Sequence, residues 1–305
     1  MDGFFNAQET RLAMSRTHDW SSYWWACDLP YLARLYWHSY SAKPKTVTIN
    51  HPIRDTQTAV SDTVDSVISD ITWVLDHRPK FAFICLDSGR SVRREKFPEY
   101  KMARLQPPPE FQSAYNAILR DLAHHFKEKV HILAARGYES DDVMATLAKE
   151  AVKAGDQCVL MTNDKDVRQC LIKGSVTSQR RMNDELGRAT WGFLTCEQAE
   201  ANWGVGRDQF IDYQVLTGDA TDGIPGVDGV GQKTATKLLL QHGSIEALKK
   251  VVIESKVGEA LEAFWPIEPL VRELVTLNDN VDYVDVPIDQ SDRSFENGSD
   301  IEVAF

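Results

Sequence analysis

Short apolar runs alternate with stretches of helical periodicity along most of this chain. Tyr23-Trp-Trp-Ala-Cys-Asp28 is the first such run, and it ends in an acid, as a strand entering a site would. Pro30 then opens a segment whose apolar positions Leu32, Leu35, Tyr36 and Trp37 form one helical face. Residues 41–58 are polar, carry Pro44 and Pro52, and read as a loop. Val60, Val64, Val67, Ile68, Ile71, Val74 and Leu75 recur at helical spacing and predict an amphipathic helix over 59–77. Phe81-Ala-Phe-Ile-Cys-Leu86 predicts a second strand, ending at Asp87. A helix over 110–126 carries Phe111, Tyr115, Ile118, Leu119 and Leu122 inward, and Val130-His-Ile-Leu133 is a third strand. Val143, Leu147 and Val152, with Ala145 and Ala148 between them, mark a helix running to Ala154 with Ser140 as its expected N-cap. Cys158-Val-Leu-Met161 is a fourth strand. This alternation predicts an α/β fold with a mostly parallel central sheet flanked by helices.

The pattern turns helical after Gly187. Cys196 to Trp203 and Arg207 to Thr217 read as short helices joined by Gly204-Val-Gly206. A helix over 232–241 follows, and another begins near Ser244. The expected organisation is a loose arm over 1–20, an α/β domain over 21–187, a helical region over 188–283 and an acidic, disordered tail over 284–305.

Composition narrows the class. The 305 residues, 43% hydrophobic and 26% charged, suit a soluble protein with a sizeable core. No apolar run approaches membrane-spanning length, and Met1-Asp2-Gly3 opens no basic-then-apolar leader, so a cytoplasmic protein without a membrane partner is expected. Cys27, Cys85, Cys158, Cys170 and Cys196 are scattered, which argues for reduced thiols over a disulfide framework or a zinc site. A net charge of −11 argues, as a sum, against nucleic acid. The distribution points the other way. Acids concentrate in a few motifs and in the tail from Asp282 to Glu302, while Arg90, Arg93, Arg94, Lys96, Lys101 and Arg104 form a basic segment closed by Pro107-Pro108-Pro109.

The motif acids carry the candidate chemistry. Gly137-Tyr-Glu-Ser-Asp-Asp142 places Glu139, Asp141 and Asp142 within four residues. Asp28, Asp87, this group, and Asp164 with Asp166 all lie at or just after a predicted strand's C-terminal end, the edge at which open parallel sheets bind ligands. Acids in a first turn also complement the helix dipole, which is the plain alternative. Their recurrence at four strand ends favours a hard divalent cation with oxygen ligands. No histidine or cysteine joins these motifs, which disfavours zinc and favours magnesium.

Gly226, Gly229 and Gly231 invite a phosphate-loop reading, but Gln232 follows Gly231, Lys233 comes one residue late, and no apolar strand precedes the turn. Two helices joined by a tight glycine hairpin fit better. Such a hairpin offers backbone N–H groups and a helix N-terminus to a backbone phosphate without reading sequence. Lys233 and Lys237, one helical turn apart, support this over a plain turn.

Four stretches together resemble the 5′-nuclease or flap endonuclease family, meaning the stand-alone bacterial and phage 5′→3′ exonucleases and the nuclease domain of bacterial DNA polymerase I. They are Phe97-Pro-Glu-Tyr-Lys-Met-Ala-Arg104, Gly137-Tyr-Glu-Ser-Asp-Asp-Val143, Thr162-Asn-Asp-Lys-Asp166 and the run from Gly218 to Ala235. Arg272 to Leu277 adds a weaker match, and the resemblance covers residues 81–277. It implies a PIN-like or resolvase-like sheet followed by a helix-three-turn-helix region (a helix-hairpin-helix type of DNA grip). It implies two clusters of divalent metal ligands: Asp28, Asp87, Glu139 and Asp141 match the first, and Asp142, Asp164, Asp166, Asp219 and Asp222 match the second. The implied cofactor is Mg2+, two ions, with Mn2+ as a substitute. Lys101 and Arg104 are implied to act catalytically at the scissile phosphate, with Arg93, Arg94 and Tyr100 of the same segment contacting DNA. Gly226, Gly229, Gly231, Lys233, Thr234 and Lys237 are implied to grip the duplex. Asp28 is followed by Leu29-Pro30 where the family usually has glycine, Gly223 stands for asparagine and Asn163 for glycine; no carboxylate is lost.

The activity implied is removal of 5′ ends or flaps from DNA during replication or repair, with nicked or gapped duplex and RNA primer ends among the substrates. A monomer is expected, with any polymerase a separate partner. A catalytically idle DNA-binding module and a PIN-like ribonuclease are the alternatives. The retained acids argue against the first, and the helical region after Gly187 argues against the second. Asp219 and Asp222 lie more than fifty residues beyond Asp166. The expectation is that their turn folds back onto the sheet edge and completes the second metal site with Asp164 and Asp166, instead of merely capping itself.

Overall fold

The computed structural model describes residues 19–41, 56–183 and 189–286. Its centre is one sheet of strands β1 (Tyr23–Asp28), β2 (Phe81–Cys85), β3 (His131–Ala134), β4 (Gln157–Met161), β5 (Val176–Asn183), β6 (Ala189–Leu194) and β7 (Val284–Asp285), in the order β6-β5-β4-β1-β2-β3-β7. The pairs β1–β2, β1–β4, β2–β3 and β4–β5 are parallel, and β6 and β7 add antiparallel edges. The chain steps outward from β1 to β2 and β3, then returns to the other side of β1 as β4. The C-terminal ends of β1 and β4 therefore flank the point where the winding reverses, which is where such sheets open a crevice.

The helices, in chain order, are α1 (Leu29–Ser41), α2 (Thr56–Asp76), α3 (Val92–Lys96), α4 (Pro109–His125), α5 (Ser140–Lys153), α6 (Cys196–Trp203), α7 (Phe210–Thr217), α8 (Gln232–His242), α9 (Ile245–Leu248), α10 (Lys256–Phe264) and α11 (Glu268–Val275). The central strands are covered on both faces, which is why they read as continuous apolar runs. Trp25, Cys27, Ile84 and Val159 pack with α1, α2 and α4 on one face, while Ala26, Phe83, Cys85 and Leu160 pack with α5 on the other. All five cysteines are free. A separate core gathers Phe210, Leu216, Ile224, Val230, Leu239, Ile245, Leu261 and Val271 from the later helices, together with Tyr100.

Three expectations change. The sheet does not stop at the boundary placed at 187: β6 pairs with β5 from Ser178↔Leu194 to Asn183↔Ala189. Those strands escaped the apolar pattern because buried positions of β5 are polar; Gln179 is fully buried and accepts a hydrogen bond from Trp25 Nε1 at 2.8 Å. Residues 1–18, most of the 41–58 loop, 184–188 and the tail from 287 lie outside the described residues; of the tail, Val284 and Asp285 pair with β3. The first residue of α5 is Ser140 and its N-cap is Glu139, whose N–H donates to Asp142 Oδ2 at 3.2 Å.

A buried ion pair within the sheet domain helps tie it to the later helices. Arg93 donates to both oxygens of Asp142 at 2.7 Å, and also to the carbonyls of Leu274 and Thr276 at the end of α11. The Asn278 N–H donates to Asp142 Oδ1 at 2.8 Å. Asp142 is fully buried, and the carboxylates hold the Arg93 guanidinium above its ordinary range despite the burial that opposes its charge. Breaking such a pair leaves an uncompensated charge. Arg93→Ala and Asp142→Ala should each destabilise the protein by about 3–5 kcal/mol. In urea denaturation the double variant should lose far less than the sum; additive losses would show that the two side chains act independently.

Candidate metal centre and nucleic-acid interface

The site is built where β1, β2, β3 and β4 end. Asp28, the last residue of β1, also starts α1: its Oδ1 accepts the Tyr31 N–H at 3.0 Å. Ser140 Oγ donates to the same oxygen at 3.1 Å, and Thr162 Oγ1 donates to Asp28 Oδ2 at 2.9 Å. The Ser140 N–H donates to Asp87 Oδ1 at 2.9 Å, so one residue at the start of α5 holds the acids of two strands. The Asp164 N–H donates to Thr162 Oγ1, and the Asp166 N–H to Asp164 Oδ1 at 2.8 Å, which curls the segment after β4 over the edge.

Burial raises the Asp28 carboxyl to about 7, with Asp87 and Asp164 adding repulsion. Burial likewise lifts Asp141 well above the ordinary carboxylate range, with Asp164 and Asp28 as its chief repelling charges. Asp141 Oδ1 is buried and has no hydrogen-bond partner among the described residues. Asp166 is also raised to about 7, by burial and then by Asp164. Orphaned, mutually repelling carboxylate oxygens in one crevice suit a hard cation and little else.

The distant turn does fold back. Asp166, Asp219 and Asp222 each offer a carboxylate oxygen, all within 4.8 Å of one another. The crossing beneath them needs glycine: a Cβ on Gly226 would lie 2.4 Å from the Thr217 carbonyl carbon, and one on Gly218 would lie 2.4 Å from the Gly226 nitrogen. Asp164 is outside this group of three, though its charge acts on Asp166 as well as on Asp28 and Asp141. Asp142 is not brought to the group either, because both of its oxygens are committed to Arg93.

Basic side chains reach the acids from the segment after α3. Lys101 Nζ stands 2.7 Å from Glu139 Oε1 and 3.8 Å from Asp222 Oδ2, and Arg104 pairs with Asp222. Burial disfavours the Glu139 charge, yet Lys101 and Arg93 together hold its carboxyl below the ordinary value. Lys101 has φ +54°, an uncommon backbone for a side chain of this size, and its N–H donates to the Asp222 carbonyl at 2.8 Å. Gly223 fills its position because φ there is +72°, a conformation that asparagine also tolerates.

Two residues expected at the DNA surface lie elsewhere. Arg93 is buried in its ion pair, and Tyr100 is buried with its hydroxyl donating to Glu139 Oε2 at 2.8 Å. Arg94 is exposed. In the glycine hairpin, Val227 and Val230 are buried, while Gly229, Gly231, Lys233 and Lys237 are exposed and Thr234 is half-buried. A Cβ on Gly229 or Gly231 would meet nothing within 4 Å, although φ +70° at Gly229 itself favours glycine. That leaves open backbone beside the N-terminus of α8, as an approaching phosphate requires. Gly226 owes its identity to the crossing with Thr217 and Gly218.

Sequence reasoning passed over Ser140 and Thr162 as supports of Asp28, Lys165, whose Nζ is 2.9 Å from Asp219 Oδ2, and Gln214 of α7, whose amide donates to Asp166. Lys165 carried a signal, lying between two motif acids; Gln214 carried none.

Residues 32–199 match the family described as 5′-3′ exonuclease, N-terminal resolvase-like domain, and residues 205–297 match 5′-3′ exonuclease, C-terminal SAM fold. These two segments meet near the end of α6, beyond the boundary expected at 187. The chain is 34% identical over 225 residues to DNA polymerase I of Bacillus subtilis (strain 168), covering 72% of this chain and 24% of that protein. It is 32% identical over 222 residues to DNA polymerase I of Mycobacterium tuberculosis, again spanning 24% of the relative. In fold it is similar to the zinc-bound 5′-exonuclease of bacteriophage T5, with a TM-score of 0.60, 20% identity and coverage of 84% of this chain and 90% of that one. It is also similar to the T5 D15 flap endonuclease in a pseudo-enzyme-product complex with DNA and metal ions, with a TM-score of 0.59, 22% identity and coverage of 84% and 89%. Among the described residues no helix is long and apolar enough to cross a membrane. The chain belongs to the 5′-3′ exonuclease family.

Proposed function

We propose that this chain is a metal-dependent nuclease that hydrolyses DNA phosphodiester bonds at 5′ ends and flaps. The observation that carries this reading is the meeting of Asp166 with Asp219 and Asp222, side chains far apart in sequence whose oxygens gather within 4.8 Å. A turn that only capped itself would have no reason to reach β4. We assign one divalent ion to this group and a second to Asp28, Asp87, Glu139 and Asp141, with Asp164 between them, and take both to be Mg2+, replaceable by Mn2+. Ions held by these carboxylates would supply positive charge against the phosphate and would lower the pKa of a water for attack. The chain's own residues do the rest. Lys101 and Arg104 add positive charge where the reacting phosphate gains negative charge. The hairpin from Gly226 to Lys237 holds duplex phosphates away from the reacting bond, and exposed Arg94 extends that basic surface.

Incubation with Mg2+ and end-labelled flap, nicked duplex, single-stranded DNA and single-stranded RNA tests the reading. Cleavage of the flap or nicked duplex from the 5′ side is expected. The double variant Asp219→Asn, Asp222→Asn should lose orders of magnitude in rate with an unchanged fold by circular dichroism. A parent that binds duplex without cutting it would make the chain an idle binding module, and preference for single-stranded RNA would make it a ribonuclease.

Two basic groups should separate kinetically. Lys101→Ala should lower single-turnover rate far more than duplex affinity. Lys233→Glu should weaken duplex binding and reduce the slope of log K against log salt by roughly 1, the value of a single neutralised phosphate. Equal effects of both variants on rate and affinity would contradict this division.

The raised acids set a pH dependence. Asp28 and Asp166 titrate at about 7 in the folded protein against an ordinary 3.8. Between those values the unfolded chain has released protons that the folded chain keeps, so metal-free stability falls as pH rises through this window and levels off above it. Mg2+ needs the ionised carboxylates, so its stabilising shift in melting temperature should be larger at pH 8 than at pH 5. Calorimetry showing the same shift at both pH values would contradict the assignment of these acids as ligands.

A further inference from the structure

Three of the site acids are held by basic side chains. Lys101 Nζ is 2.7 Å from Glu139 Oε1, Arg104 pairs with Asp222, and Lys165 Nζ is 2.9 Å from Asp219 Oδ2. Lys101 and Arg104 already belong to the reading above; Lys165 does not. It lies in the chain between Asp164 and Asp166, and its partner Asp219 belongs to the group of three. Its side chain is 42% exposed, so packing does not lock the ammonium on its flexible stem. Among the described residues the third member, Asp166, accepts a side-chain hydrogen bond from the neutral amide of Gln214, and the Lys165 charge also acts on its carboxyl.

We infer that Lys165 is an internal counter-ion of this site: it neutralises Asp219 while no divalent ion is present, yields to one, and then serves the phosphate of the bound DNA. The inference rests on the metal-dependent reading proposed above. Its physical basis is competition. An ammonium and a divalent cation on the same carboxylate repel each other, and the lysine is the one that can swing away. Displaced from Asp219, it remains anchored between two ligands and finds its next anion in the phosphodiester drawn to the same place. A surface ion pair that merely stabilises the turn is the competing account.

The two accounts differ in the sign of what they predict. Binding of Mn2+ to the full chain without DNA, read from the free-ion electron paramagnetic resonance signal, should tighten in Lys165→Ala by about two- to fivefold, the span of one partly exposed ion pair. The KM for a labelled flap duplex at saturating Mg2+ should rise in the same variant. Lys165→Arg, which keeps the charge, should stay near the parent in both measurements. A purely structural lysine would weaken both interactions together. Mn2+ affinity unchanged or weaker in Lys165→Ala, or an unchanged KM, overturns the inference alone. A parent that binds no Mn2+ and cleaves no substrate overturns the nuclease reading and this inference with it.

Discussion

Like charges crowded into a partly dry crevice are the constraint on which the rest of the structure depends. The ends of four strands bring Asp28, Asp87, Asp141, Asp164 and Asp166 together, and burial and mutual repulsion push Asp28, Asp141 and Asp166 toward their neutral forms. The fold offsets this repulsion in two ways. Neutral donors are fixed on single acids: the Tyr31 N–H, Ser140 Oγ and Thr162 Oγ1 all serve Asp28. Cations on flexible stems cover the acids nearer the later helices, Glu139, Asp219 and Asp222. What remains uncovered is the buried middle, including Asp141 Oδ1, which has no partner among the described residues.

Glu139 is the point at which this charge balance becomes mechanical. It receives the Tyr100 hydroxyl and Lys101 Nζ, while Arg93 approaches it at 3.4 Å and clamps Asp142 one turn further on. Arg93 also reaches the carbonyls at the end of α11, and the Lys101 N–H bonds the Asp222 carbonyl. The basic segment, the first turn of α5 and the later helices are thus bound through a few buried polar contacts. Movement of the helical region relative to the acids would break bonds whose partners are largely buried. Asp142 illustrates the distinction between neighbours: of two adjacent aspartates at one helix start, Asp141 stands among the crowded acids and Asp142 anchors the junction.

The same economy of backbone joins the glycine hairpin to the acids. Gly218 and Gly226 cross so closely that neither position has room for a Cβ, and the loop they close carries Asp219 and Asp222. Val227 begins the hairpin immediately afterwards, with its N–H on the Leu216 carbonyl. The hairpin residues Gly229 and Gly231 and the start of α8 are therefore joined to the acids through a short connection.

Much of this was legible in the residues themselves. The central strands announced themselves because a parallel sheet covered on both faces needs unbroken apolar runs, and α2 and α4 because one buried face repeats every three to four residues, while α5 is buried on nearly all sides over 142–148. The acids at strand ends and the glycines of the hairpin were visible as local patterns, and the motif combination pointed to the family. Other features were decided only in three dimensions. The β5–β6 edge was hidden because Gln179 satisfies Trp25 where an apolar residue would be expected. Asp142, Arg93 and Tyr100 left the roles that their motifs suggested because burial demands partners: Tyr100 finds Glu139, Arg93 and Asp142 find each other, and Leu274, Thr276 and Asn278, more than a hundred residues further on, complete that pair. Sequence spacing determines which side chains share a turn; only the folded chain decides which distant charge each one must answer, because electrostatic need is settled by distance and burial and not by order along the chain.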